Sequence, residues 1–405
     1  MKIGIIREGK TPPDSRVLFT PEQCKALQQQ YDVEFLVQPS VGRCIPDSAY
    51  EAAGITLTED LSSCPVLAGI KEVPKEQLVA DKTYFFFSHT IKKQPYNRSL
   101  LQEIVKKNIK LLDYEALTNE AGQRVIAFGR FAGIVGAHNG MMTYGKRTGK
   151  FDLNQMHQYD DYAAAIEYYQ TLDLPKMKIV VTGTGRVANG ATEVLDQMGI
   201  KKVSSEDFLT QKYNEAVYAQ LDCSNYVTRK GQDKHEEFEA QHFYDNPAEY
   251  ESIFEPYTKL ADLMINGIYW DNNAPAFFTK EDMQGEQFNI KVIADVTCDI
   301  APVASIPATL FATTIANPVF GYDPQTGESV APYQEGVIDM MTIDNLPNEL
   351  PKDASKSFGE QFTVCVIEEL LGLKNTGVIE RATVTENGKL GKHFTYLQDY
   401  LDGKE

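Results

Sequence analysis

Six residues, Gly183-Thr184-Gly185-Arg186-Val187-Ala188, carry the most legible chemistry in this 405-residue chain. They form a G-x-G-x-x-A turn after the apolar run 178–181 and before a helix-like stretch, 191–198, the context in which a glycine turn cradles a dinucleotide. Gly183 permits the tight turn, Gly185 lets backbone approach a pyrophosphate, and Ala188 lets helix pack closely on strand. The helix start adds unpaired N–H groups and the positive end of its dipole. An acidic residue about twenty positions on would hold the adenine ribose. That spacing reaches Val203-Ser204-Ser205-Glu206, where Ser204 and Ser205, near Lys201 and Lys202, favour a 2′-phosphate and hence NADP, while Glu206 suits NAD. A purely steric glycine turn is the alternative.

The elements that must position this turn follow from length and pattern. At 405 residues the chain is too long for one core, so two domains with a cleft between them are expected. The first hundred or so residues alternate strand-like runs (2–6, 33–37, 66–70, 84–87 and 109–112) with helical stretches at 21–30 and 98–107, which implies βαβ units on a parallel sheet. Thr20 can cap the first of these helices, and Pro21 fits its first turn. A helix over 160–172 ends before Pro175, and a second α/β pattern opens with the strand 177–182 and continues at 263–268, 291–294 and 337–341. A polar stretch after Leu350 leads into an amphipathic helix over 358–371.

A formal charge of −18 repels nucleic acid and anionic membranes, so neither partner is expected. Much of the acid lies in 233–255 and reads as solvated surface. The six cysteines are scattered without CxxC pairs or zinc spacing, which predicts reduced thiols and no metal. Met1 runs directly into strand pattern without a leader, so a cytoplasmic location is expected.

Several motifs then occur in a distinctive order. Arg7-Glu8-Gly9-Lys10 and Ser15-Arg16-Val17-Leu18-Phe19-Thr20-Pro21 are followed by Gly69-Ile70-Lys71-Glu72-Val73-Pro74 and Phe86-Phe87-Ser88-His89-Thr90-Ile91-Lys92. Leu111-Leu112-Asp113-Tyr114-Glu115, Arg124-Val125-Ile126-Ala127-Phe128-Gly129, Asn266-Gly267-Ile268-Tyr269-Trp270 and Ile343-Asp344-Asn345-Leu346-Pro347 continue the series. Across nearly its whole length the chain resembles the lysine-ketoglutarate reductase and saccharopine dehydrogenase branch of the alanine dehydrogenase superfamily.

That resemblance implies two Rossmann-like α/β domains with parallel sheets flanking a central cleft: 1–137 with 349–405 for substrate and catalysis, and 138–348 for the dinucleotide. It implies reversible NAD(P)H-dependent condensation of an amino acid, lysine by resemblance, with 2-oxoglutarate to an opine such as saccharopine. His89 resembles the acid-base histidine, Lys71 its basic companion, and Asp299 a carboxylate beside nicotinamide and substrate. Arg16 and Arg124 resemble carboxylate-binding arginines, and Glu115 an acid near the amine. Val296, Asn345 and Leu346 join residues 183–188 as implied cofactor contacts.

Each has a plainer reading. His89 also fits a satisfied core histidine, Lys71 a surface loop, Arg16 and Arg124 salt-bridge partners, Glu115 a helix cap and Asp299 a strand end. Glu120-Ala121-Gly122 reads as a hairpin turn, and His138, His157, His235, His242 and His393 carry no assignment. After Asp299 the chain departs from the reductases' Gly-Ser-Ile-Glu-Phe with Ile300-Ala301-Pro302-Val303-Ala304-Ser305-Ile306-Pro307, which bears on substrate choice. Ending at Glu405, the chain is expected to perform one reductase step, as an oligomer or alone. An ammonia-dependent alanine-type dehydrogenase and a silent dinucleotide-binding protein are the rival readings.

Overall fold

The computed structural model describes residues 1–231 and 237–404. The chain divides into two compact units, Met1–Phe128 with Pro351–Glu405, and Gly129–Leu350. These passages lie nine residues before and two residues after the boundaries expected from the sequence, 137/138 and 348/349.

In the first unit β1 (Lys2–Ile5), β2 (Glu34–Val37), β3 (Thr56–Leu57), β4 (Val66–Ala68), β5 (Thr83–Phe86) and β6 (Lys110–Asp113) follow one another, with helical segments between all but β3 and β4. The second unit carries β7 (Lys178–Thr182), β8 (Lys201–Lys202), β9 (Val217–Leu221), the antiparallel pair β10 (Val227–Arg229) and β11 (Tyr250–Ser252), β12 (Leu263–Asn266) and β13 (Val292–Asp295). It continues with β14 (Val319–Asp323), β15 (Glu328–Val330) and β16 (Ile338–Met341). The chain returns to the first unit with β17 (Thr383–Glu386) and β18 (Lys389–Leu390).

Each unit holds an eight-stranded sheet, ordered β18-β17-β6-β5-β4-β1-β2-β3 in the first and β15-β14-β16-β13-β12-β7-β9-β8 in the second. Six strands of each are parallel, and a two-strand antiparallel extension closes one edge. The expected α/β class with two parallel-dominated sheets is thus the architecture observed.

The helix Pro21–Gln30 begins where the sequence places it. Thr20 accepts from the Gln23 backbone, and the Gln23 side chain accepts in return from Thr20. The C-terminal helix differs from expectation, starting at Pro351 and ending at Cys365, with a separate turn over Ile367–Leu370. Lys352 in its first turn is exposed, while Phe358 and Phe362 pack edge-on to Tyr114 and Phe19 at 5.0 and 5.4 Å between ring centres. Burying each of these phenylalanines contributes about 1.5–3 kcal/mol, which fastens the returning chain to the first core.

In the second unit the twenty-residue helix Gly129–Thr148, absent from the sequence reading, lies against the helix Arg186–Gln197. Glycines permit that approach: a Cβ at Gly133 would sit 1.8 Å from the Val187 carbonyl, and one at Gly190 would sit 2.1 Å from that of Arg130. The Arg186–Gln197 helix also starts five residues earlier than the sequence pattern suggested, directly at the glycine turn. Among the described residues no helix is long and apolar enough to cross a membrane.

Candidate active site

In the first unit four adjacent parallel strands, β6, β5, β4 and β1, deliver polar side chains just past their carboxyl ends, the edge where open α/β sheets place ligands. Glu8 and Arg16 follow β1, Lys71 and Glu72 follow β4, His89 follows β5, and Glu115 follows β6.

His89 Nδ1 lies 2.5 Å from Glu72 Oε1. An ionised carboxylate only accepts, so Nδ1 carries the proton of this bond and Nε2 is the nitrogen left to exchange one. Glu72 Oε2 accepts from Lys10 Nζ at 2.7 Å. Burial works to raise the Glu72 pKa, but the hydrogen bonds from His89 and Lys10 outweigh it and pull it down to about 2. Glu72 therefore stays ionised at any working pH and fixes the ring. His89 also has left-handed backbone, φ 53°, a conformation that costs a non-glycine residue energy and persists where its surroundings impose it.

Lys71 is held below the ordinary lysine range, first by burial and then by the Arg16 guanidinium. Its backbone N–H donates to Glu8 Oε2 at 2.8 Å, while Oε1 of the same carboxylate accepts from Ile70 at 2.6 Å. Burial pushes Glu8 up to about 7. Arg16 is buried and oriented from two sides. Its Nε and Nη2 grip Asp14 at 2.9 and 2.6 Å, and its guanidinium lies 4.2 Å from the Phe128 ring centre. Glu115, with its side chain 8% exposed, faces Lys92 Nζ at 3.0 Å and Arg124 Nη2 at 3.4 Å. Burial opposes its charge, yet Lys92, Arg124 and His89 together hold its carboxyl below the usual range. Arg124 leaves the 120–122 turn, which an antiparallel bridge from Thr118 to Arg124 closes. The first unit therefore gathers Arg16, Lys71, His89, Glu115 and Arg124 on one sheet edge. It adds Glu8, Lys10, Glu72, Lys92 and Asp113, to which sequence reasoning gave no role, although all five stand within the motifs that carry the resemblance.

In the second unit the glycine turn follows β7. Gly183 has φ +99°, and a Cβ there would lie 2.9 Å from the Gly267 carbonyl, so only glycine fits. A Cβ at Gly185 would meet nothing within 4 Å, leaving its backbone open to an approaching group, and the helix begins at the next residue, Arg186. Ala188 is buried against Gly267, whose own Cβ would lie 3.1 Å from the Ala188 nitrogen. A cavity of ≈ 470 Å³ opens here, lined by Gly183, Thr184 and Gly185 on one side and by Asp222, Tyr226 and Trp270 among others. These features fit the phosphates and ribose of a dinucleotide.

The structure does not bring Ser204 and Ser205 to that cavity. They follow the edge strand β8, and Ser204 caps a short helix by accepting from Asp207 at 3.0 Å. Between β7 and β8 lies β9, and Asp222, the residue after β9, reaches the cavity. Asp299 follows β13 on a loop, and Val296 packs against the Gly136 position of the long helix. Asn345 opens the turn Leu346–Glu349, where Leu346 is buried. Behind them Asp295 accepts from Asn266, Cys298 and Thr309 at 2.9, 3.1 and 2.6 Å, which fixes the carboxyl ends of β12 and β13.

Of the unassigned histidines, His138 is a satisfied core residue between Tyr169 and Asn154, and burial lowers its pKa to about 4. His235 lies outside the described residues, as do Asp233 and Glu236 of the acidic run, whose Glu237, Glu239, Asp245, Glu249 and Glu251 are exposed. No group of three His, Cys, Asp or Glu side chains among the described residues is placed to hold a metal.

Residues 4–135 match the family model described as alanine dehydrogenase/PNT, N-terminal domain. The mitochondrial alpha-aminoadipic semialdehyde synthase of Rattus norvegicus is 31% identical over 458 aligned residues, covering 100% of this chain and 48% of that protein. The chain thus spans about half the length of the curated relatives it matches first. The NAD(+), L-lysine-forming saccharopine dehydrogenase of Yarrowia lipolytica is 27% identical over 375 residues, 88% of this chain and 89% of that one. An L-alanine dehydrogenase structure shares the fold over 99% of both chains, with a TM-score of 0.63 at 14% identity. The chain therefore carries an alanine dehydrogenase/PNT N-terminal domain over residues 4–135 and is a homologue of the saccharopine dehydrogenases and aminoadipic semialdehyde synthases.

Proposed function

We propose that the chain is a nicotinamide-dependent oxidoreductase that joins an amino acid, lysine by relationship, to 2-oxoglutarate as a saccharopine-type secondary amine, and runs the reverse reaction. The observation that carries this reading is the His89–Glu72 pair beside a lysine of depressed pKa, on a sheet edge that also offers arginines. Condensation of an ammonium with a ketone to an iminium removes two protons from nitrogen and delivers two to the departing oxygen as water forms. Lys71, held below its ordinary range, accepts the first, and His89 delivers protons through Nε2. Arg16, oriented by Asp14 and Phe128, holds a substrate carboxylate, with Arg124 a second cation for the other acid groups. Glu115 faces the amine end. A bound dihydronicotinamide supplies the hydride that reduces the imine, so that ammonium, ketone, hydride and one proton give the secondary ammonium and water.

Gly183, Thr184, Gly185, Arg186, Val187 and Ala188 hold the pyrophosphate. Asp222 takes the adenine ribose diol, which favours NAD over NADP because a carboxylate there repels a 2′-phosphate. Val296, Asp299, Asn345 and Leu346 form the nicotinamide end.

A panel of amino acids crossed with 2-oxo acids, followed by NADH absorbance, tests this reading. Oxidation is expected only with both partners present, and a His89→Ala variant should lose it by about 100-fold or more. Turnover with ammonia and pyruvate alone would favour an alanine-type dehydrogenase, and equal rates in wild type and His89→Ala would remove His89 from the chemistry.

A further inference from the structure

Asp113, the last residue of β6, is wholly buried. Its two oxygens are divided between two loops. Oδ2 accepts from the Ser88 backbone at 3.1 Å and from the Ser88 hydroxyl, and Oδ1 accepts from the Glu115 backbone at 2.8 Å. The Ser88 hydroxyl reaches on to Thr90, with 2.7 Å between the two side-chain oxygens and 3.2 Å to the Thr90 backbone nitrogen. His89 lies between these two anchored residues, and its φ of 53° is the conformation that such an arrangement has to hold against its own preference.

We infer that Asp113 is a positioning residue that locks the His89 loop and the Glu115 loop into one register. This inference rests on the roles proposed above for His89 and Glu115. A carboxylate is required because both of its oxygens must accept from backbone N–H groups on opposite sides. An amide would set its own NH2 against one of those donors and break one arm of the bracket. The bracket also explains why a residue without a chemical role lies inside the Asp113-Tyr114-Glu115 motif: the strand end that carries Glu115 simultaneously fastens the neighbouring loop. Burial pushes the Asp113 carboxyl up to about 6, so it is ionised in neutral solution, as double acceptance requires.

The test uses the full chain as Asp113→Asn and, because that variant is at risk of misfolding, also as Ser88→Ala, which removes only the hydroxyl arm. Hydrogen exchange followed by mass spectrometry on peptides containing residues 88–90 and 114–116 reads the bracket directly, whether or not turnover occurs. Asp113→Asn is expected to speed exchange in both segments at least tenfold while β1 and β4 stay protected, and Ser88→Ala to speed it only in 88–90. With turnover measured as well, kcat should fall by about 10–100-fold, the scale of an ångström-level misplacement, with KM within about twofold. Unchanged exchange in both segments in either soluble variant, or exchange raised uniformly across the first unit, would overturn the inference. An inactive wild type whose Asp113→Asn exchange still rises locally would instead refute the proposed reaction and leave the bracket standing.

Discussion

Replacing Asp222 by serine separates the two nicotinamide cofactors. In the proposed complex the Asp222 carboxylate accepts from the adenine ribose hydroxyls, and a hydrogen bond to a charged acceptor is worth about 1.5–3 kcal/mol. Its loss should weaken NADH by roughly 10–100-fold. For NADPH the sign reverses. Asp222 is exposed, so a 2′-phosphate of charge near −2 at about 5 Å, in a water-like dielectric, is repelled by about 1.5 kcal/mol, and removing the carboxylate improves NADPH about tenfold. The NADH-to-NADPH preference should therefore swing by about 10²–10³. Serine is the informative replacement because Asp222 also caps the turn Cys223–Asn225 by accepting from Ser224 at 2.9 Å, and a serine hydroxyl performs the same task. Fluorescence titration with each cofactor, together with melting temperature, measures both effects. An unchanged cofactor ratio in a normally folded Asp222→Ser protein, or a wild type that prefers NADPH, would refute the placement of the ribose at β9.

Two further outcomes follow from packing and burial. Gly133→Ala forces a Cβ to within 1.8 Å of the Val187 carbonyl, so the long helix must shift off the cofactor-turn helix. A loss of about 1–3 kcal/mol in denaturant unfolding is expected, and an unaltered midpoint would contradict that close crossing. Glu8, whose pKa rises from 4.5 to about 7 on folding, binds a proton more readily in the native state, so its contribution is complete below about pH 4.5 and is lost as pH rises through about 7. The shift corresponds to about 3 kcal/mol, and Glu8→Gln should flatten the decline of stability over that window, whereas parallel wild-type and variant curves would show that Glu8 titrates normally.

The first unit was legible because its signals are local. The Thr20–Gln23 capping box with Pro21 announces its own helix, and strands buried on both faces, such as 84–87, announce themselves by apolar runs. The Gly129–Thr148 helix was not legible. It is buried almost all round, so no apolar stripe alternates with a polar one, and Gly129, Gly133, Gly136 and Gly140 read as breakers when they are contact surfaces. The Pro351 start could have been read, since proline favours the first helical position, but the polar turn behind it masked the pattern.

Ser204 and Ser205 lie away from the cavity beside the glycine turn for a topological reason. Spacing by residue count assumes that the next strand in sequence is the next strand in space, whereas β8 lies at the edge and β9 intervenes. Asp222 could not be singled out without the strand order. The pairing of His89 with Glu72, and of Ser88 with Asp113, is likewise a property of neighbouring strand ends that separation along the chain conceals.

In the proposed reaction one carbon of a 2-oxo acid receives a hydride while it is bonded to the nitrogen of an amino acid. Incubating the protein with NADH deuterated at the transferring position, L-lysine and 2-oxoglutarate, and analysing the product by mass spectrometry and NMR, tests this directly. A single deuterium is expected on the former ketone carbon of a secondary amine containing both carbon skeletons. Deuterium in a primary amino acid, formed from ammonia without incorporation of lysine, would contradict it.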